Sequence, residues 1–149
     1  MPGRDELLAQ VGRELGTGDW LSIGQDTIDG FAEVTGDHQW VHVDRKRAAR
    51  ESPYGATIAH GYLTLSLLPQ LTAGIVTFDG ARMVVNYGLD KVRFLSPVVV
   101  GSRVRARSVL SDVRVGDAGA VDLLVRHTIE LEGSDRPALV ADTIARAFY

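Results

Sequence analysis

From Arg103 to the C-terminus, apolar and polar residues take turns. Val104 and Ala106 alternate with Arg103, Arg105 and Arg107. Further on, Val121, Leu123, Val125, His127, Ile129 and Leu131 share one face of a second run, whose opposite face is mostly Asp122, Arg126, Thr128 and Glu130. Successive strand side chains point to opposite faces of a sheet, so a period of two marks half-buried strands. Gly116-Asp117-Ala118-Gly119 predicts the turn of an antiparallel hairpin between them. Gly133 to Pro137 predicts a second turn, leading into a closing strand over Ala138 to Phe148. Upstream, Arg82–Tyr87 and Leu89–Phe94 read as shorter strands parted at Gly88, and Pro97 and Gly101 bracket the next connection.

The first half has another rhythm. From Ser52 to Phe78 there is no Asp, Glu, Lys or Arg, and Ile58 to Leu68 is apolar on nearly every side. A bilayer span needs roughly 20 apolar residues, so this run predicts a helix buried all round in a core. Pro69 is expected to end or kink it, because proline lacks the N–H and clashes with the preceding turn. Asp5–Leu15 reads as an amphipathic helix and Trp20–Ile23 as a short edge strand. A further helix starts at Gly24, turns Ile28, Phe31, Ala32 and Thr35 inward, and stops at Gly36. The expectation is one α+β domain over residues 1–149, a helix enclosed by a curved antiparallel sheet, with residues 1–19 as a helical extension.

Composition narrows the chemistry. The 149 residues include no cysteine, which excludes disulfides, thiolate metal sites and a cysteine nucleophile. Sixteen basic residues against 19 acidic ones offer no electrostatic footprint for nucleic acid. The opening Met-Pro-Gly-Arg-Asp-Glu lacks an apolar signal-peptide core. A cytoplasmic protein without nucleic-acid or membrane partners is expected.

Two segments carry candidate chemistry. Thr35 to Asp44 sets His38, His42, Asp37 and Asp44 around Trp40, just past a helix end. Three readings compete: a metal site, a structural loop in which Asp37 caps a turn and His42 fills a core hydrogen bond, and an acid–base pair of Asp37 and His42. The pair would hold a water between carboxylate and imidazole and make it nucleophilic. His38 is expected to point elsewhere. The second segment is Ala59-His60-Gly61-Tyr62, where a glycine at a helix start lets a substrate atom approach a free N–H. Gly61 then serves as an oxyanion donor, or it merely lets the helix pack closely on the sheet.

Phe31 to Asp37, His42, Ile58 to Gly61 and Val92 to Val98 occur in an order that resembles the MaoC-like family, which contains the (R)-specific enoyl-CoA hydratases, and most closely its NodN-like branch. The resemblance runs from about Trp20 to the C-terminus. It implies a hot-dog fold, usually a homodimer, and (R)-specific hydration of a trans-2-enoyl thioester of coenzyme A or acyl carrier protein, with no cofactor. The family's Gly-Asp-x-Asn-Pro-x-His motif places the catalytic pair on Asp37 and His42, and its helix-start glycine on Gly61. Gln39 and Trp40 replace the asparagine and proline, which bears on acyl-chain preference. Ala59, Tyr62, Asn86 and Tyr87 are candidate pocket residues, and Arg93 a candidate for the phosphates of coenzyme A. Arg103, Arg105 and Arg107 are expected on a solvated face. Two rivals share the scaffold: a thioesterase, whose helix carboxylate is missing here, and a non-catalytic acyl-thioester-binding module.

Overall fold

Alternation along Arg103–Val115 (β4) buries Val104, Ala106, Ser108 and Leu110 and turns Arg103, Arg105 and Arg107 outward. The computed structural model describes residues 4–149. In it, β4 pairs along its length with Ala120–Leu131 (β5), across the tight connection at Asp117–Gly119. β5 pairs in turn with Leu139–Phe148 (β6), and β6 with Met83–Phe94 (β3). Two short strands, Glu14–Thr17 (β1) and Leu21–Ser22 (β2), line the other edge of β4. The result is a six-stranded antiparallel sheet in the order β1-β4-β5-β6-β3, with β2 beside β1 on β4.

Cross-strand ion pairs tie down the outward arginines. Arg105 meets Glu130 at 2.7 Å, Arg103 meets Glu132 at 3.2 Å, Arg126 reaches Asp142 at 2.7 Å, and Arg146 reaches Asp122 at 2.6 Å. Each such surface pair is worth about 0–1 kcal/mol, so the ladder sets register more than it stabilises. The stripe at 103, 105 and 107 is thus a neutralised outer face, as expected.

On the inner face, Val104, Ala106, Ile129, Leu139 and Ala141 meet Ile28 of Gln25–Thr35 (α2) and Leu63, Leu68 and Leu71 of the central helical segment. That segment differs from the expected helix. It begins at Gly61 rather than Ile58 and breaks at Leu67 into Gly61–Ser66 (α5) and Leu68–Leu71 (α6). Pro69 lies in the first turn of α6, where its missing N–H costs nothing but where it could not continue α5. Nor is the segment buried all round, since Tyr62 is 70 % exposed on its outer side. The absence of charge did not fix the depth of burial.

Three further expectations change. The N-terminal helix, α1, spans only Arg4–Leu8, and Leu15 belongs to β1, so residues 14–17 join the sheet instead of a helical extension. The strands expected either side of Gly88 are one strand, β3, with irregularities around Gly88 and Asp90 that keep the ladder continuous. Two helices went unread, Trp40–Val43 (α3) and Arg45–Glu51 (α4), the latter capped by Asp44, whose Oδ1 accepts from the Arg47 N–H at 2.9 Å. Among the described residues no helix is long and apolar enough to cross a membrane.

A second polar element sits inside the sheet. His127 is buried, with Nδ1 2.8 Å from Ser108 Oγ and Nε2 3.1 Å from Thr143 Oγ1. Burial pushes its imidazole down to about 4 from the ordinary 6.5, against the opposing pull of Asp142. The unfolded chain therefore takes up a proton first, and stability is lost as pH falls from about 6.5 towards 4. About 2 kcal/mol should disappear between pH 7 and pH 5. Melting temperatures measured across that window should show the slope in the parent and a flatter one in His127→Gln.

Candidate active site

Helix α2 stops because Gly36 takes the left-handed conformation at φ 76°, its N–H capping Ala32 O at 2.8 Å. The chain then reverses through Asp37, His38 and Gln39 into α3. Asp37 Oδ1 accepts from the Gln39 N–H at 3.3 Å, which shapes the turn. α3 carries His42 inward, leaving it 8 % exposed. His42 Nδ1 lies 2.7 Å from Ile58 O. A carbonyl can only accept, so Nδ1 carries a hydrogen, and Nε2 is the ring nitrogen left without that bond.

Both structural roles weighed for this loop are therefore real: Asp37 shapes a turn, and His42 makes a core hydrogen bond. Neither uses up the reactive atoms. Asp37 Oδ2 has no hydrogen-bond partner among the described residues, and a side-chain atom of Asp37 lies within 4.8 Å of one of His42.

His42 opens onto a cleft of ≈ 380 Å³ whose walls include Ala59, Gly61, Thr64, Phe94 and Pro97. The cleft thus joins the imidazole to the start of α5. Gly61 lies against the Phe94 ring: a Cβ added there would come within 2.9 Å of it. Gly61 thus both packs closely against the sheet and lines the cleft.

Gln25 supports the loop from below. Its Nε2 donates to His42 O at 2.8 Å, and its Oε1 accepts from the Thr57 hydroxyl at 2.5 Å. Neither residue was legible as part of the site, because a lone Gln in a first helical turn and a lone Thr in a loop carry no motif. His60 is a third unread member. It is 3 % exposed, stacks on His42 with ring centroids 3.9 Å apart, and has Nε2 3.0 Å from Asp37 O.

The remaining candidates disperse. His38 points away as expected, 3.6 Å from Glu33, and Asp44 is committed to α4, so the quartet considered for a metal does not converge. Asp37, His42 and His60 do approach one another within 4.8 Å. However, a metal on imidazole lies near the ring plane at about 2.0–2.1 Å from nitrogen. Two rings stacked with planes only 24° apart cannot both meet that condition for one ion. Gln39 is exposed, and Trp40 stacks under the Arg47 guanidinium at 4.4 Å; neither lines the cleft. Tyr62 stands edge-on to Phe94 at the surface. Asn86 and Tyr87 line a separate cavity of ≈ 680 Å³ between α6 and β3. Arg93 is exposed and donates to the neighbouring Val92 O at 2.7 Å.

A curved antiparallel sheet around a central helical segment, with the cleft at the helix start, is the hot-dog fold. The A. caviae (R)-hydratase involved in PHA biosynthesis shares it with a TM-score of 0.73, 23 % identity, and coverage of 91 % of this chain and 94 % of that one. So does a monoamine oxidase regulatory protein from Archaeoglobus, with a TM-score of 0.77, 22 % identity, and coverage of 94 % and 92 %. The model of the MaoC-like domain matches residues 6–130. The chain belongs to the MaoC-like dehydratase family and is a hydro-lyase of that kind. It is 50 % identical over 141 residues to the 3-hydroxyacyl-thioester dehydratase Z of Mycobacterium tuberculosis, covering 95 % of this chain and 93 % of that protein. It is also 50 % identical over 145 residues to nodulation protein N of Rhizobium meliloti, covering 97 % and 90 %.

Proposed function

We propose that the protein interconverts trans-2-enoyl and (R)-3-hydroxyacyl thioesters by adding or removing water at Asp37 and His42. The observation that carries this reading is the anchoring of His42: Nδ1 is spent on Ile58 O, which leaves Nε2 free on a ring that lines the Gly61 cleft and has a nitrogen within 4.8 Å of an Asp37 carboxylate oxygen. In the hydration direction the pair takes a proton from water as its oxygen bonds to C3. The C2–C3 π electrons move onto the thioester, whose oxygen gains negative charge beside the Gly61 N–H. C2 then receives a proton. Water is consumed, nothing is oxidised, and no cofactor is required.

The relatives support the substrate class, one of them being named for a 3-hydroxyacyl thioester. The carrier of that thioester, coenzyme A or an acyl carrier protein, brings phosphate. α4, directly after the catalytic loop, presents Arg45, Lys46 and Arg50 without a carboxylate partner among the described ion pairs. These cations, together with Arg93, are candidates for the phosphates of the carrier. A homodimer is the assembly this reading expects, because among the described residues the outer edge of β3 is unpaired and the strand displays Met83, Val84, Val85, Tyr87, Leu89 and Phe94. An apolar, twelve-residue free edge invites a second copy.

The test is loss of enoyl-thioester absorbance with crotonyl-CoA, followed by chiral analysis of the product. Turnover to (R)-3-hydroxybutyryl-CoA is expected. Thioester cleavage without hydration would replace this reading with a thioesterase, and binding without turnover would replace it with a carrier module.

A further inference from the structure

We infer that His60 is a positioning residue that sets the geometry of the Asp37–His42 pair; the inference rests on that pair being the catalytic one. His60 has an uneconomical place in the core. It is 3 % exposed, and its Nδ1 is buried with no hydrogen-bond partner. A buried acceptor without a donor destabilises the fold, and a phenylalanine or leucine would fill the space without that cost. What the imidazole provides instead is directed at the site. Its Nε2 donates to the main-chain carbonyl of Asp37 at 3.0 Å, and its face lies against the His42 ring at 3.9 Å. Phe31 braces it from another side, with ring centroids 5.0 Å apart.

The topology explains why a single side chain has this leverage. Asp37 follows the end of α2, His42 sits on α3, and Gly61 opens α5, three separate segments. His60 bonds to the first, stacks on the second and is covalently next to the third. Asp37 itself is exposed, so its carbonyl finds water when the bond from His60 is lost. Stability therefore changes little, while the carboxylate loses its fixed place near the His42 ring. A misplacement of about 1 Å can cost about 10²-fold in rate.

Two substitutions separate the contributions. His60→Phe keeps a flat ring but removes the donor. His60→Gln places an amide nitrogen as many bonds from Cβ as Nε2 is, and so restores the donor without the ring. With crotonyl-CoA as probe, His60→Phe should lower kcat by about 10²-fold with KM little changed and the melting temperature equal or higher. His60→Gln should recover most of that loss. Parental kcat in His60→Phe would overturn the inference, as would equal losses in both variants. If His60→Phe fails to fold, His60→Asn, whose amide is too short to reach Asp37 O, provides the same contrast with His60→Gln. Asp37→Asn measured alongside keeps the two ideas apart. Parental turnover there removes the catalytic pair itself, whereas lost turnover there with parental turnover in His60→Phe removes only the role of His60.

Discussion

Asp37→Asn and His42→Asn should each lower kcat by about 10²–10⁴-fold, the usual contribution of general acid–base catalysis, in a protein that remains folded. The substitutions are chosen from the hydrogen bonds. Asn at 37 still accepts from the Gln39 N–H, so the turn after α2 survives while the charge is removed. Asn at 42 places its amide nitrogen where Nδ1 lies, keeps the bond to Ile58 O, and deletes Nε2. His42→Ala is the harsher comparison, because it leaves that carbonyl without its partner and costs about 1–3 kcal/mol in stability. If the two groups act on one water, the double variant should be scarcely slower than either single one, since effects within a catalytic unit do not add. Steady-state rates with crotonyl-CoA and melting curves together decide the matter. Parental kcat in a folded Asp37→Asn or His42→Asn would end the assignment.

The difference between what the sequence disclosed and what it hid has physical causes. β4, β5 and β6 were legible because each buries one face, and alternation is the direct imprint of that burial. Gly36 was legible because a left-handed residue leaves few choices other than glycine. α4 was not, because Arg-Lys-Arg-Ala-Ala-Arg-Glu offers only Ala48 to the interior, too little for a periodic signal; its one cue was Asp44 at the cap. The depth of the central segment misled for the opposite reason. Tyr62 is apolar without being buried, and it lies against Phe94 on the exposed side of β3 where a second copy is proposed to sit. Asp37 and His42 could be singled out as two reactive groups five positions apart. The supports beneath them, Gln25, Thr57 and His60, come from distant segments and meet only through the fold.

Gly61→Ala should depress kcat/KM by about 10²-fold, the scale at which a lost oxyanion contact is felt. The added Cβ has two ways to do this. It would sit 2.9 Å from Phe94 Cδ1 and 3.0 Å from Cε1, and so displace the ring or the start of α5. It would also stand in the cleft, which Gly61 and Phe94 both line, and keep a thioester oxygen from the backbone N–H. Removing the ring distinguishes the two. In Gly61→Ala/Phe94→Ala the clash is gone, and the melting temperature should return to that of Phe94→Ala alone. If the glycine serves only to admit the ring, activity returns to that reference with it. If the N–H must be reached by substrate, activity stays about 10²-fold below the reference although the helix is packed without strain. The second outcome is expected, because close packing explains why the residue is small but not why it opens onto the cleft that holds His42.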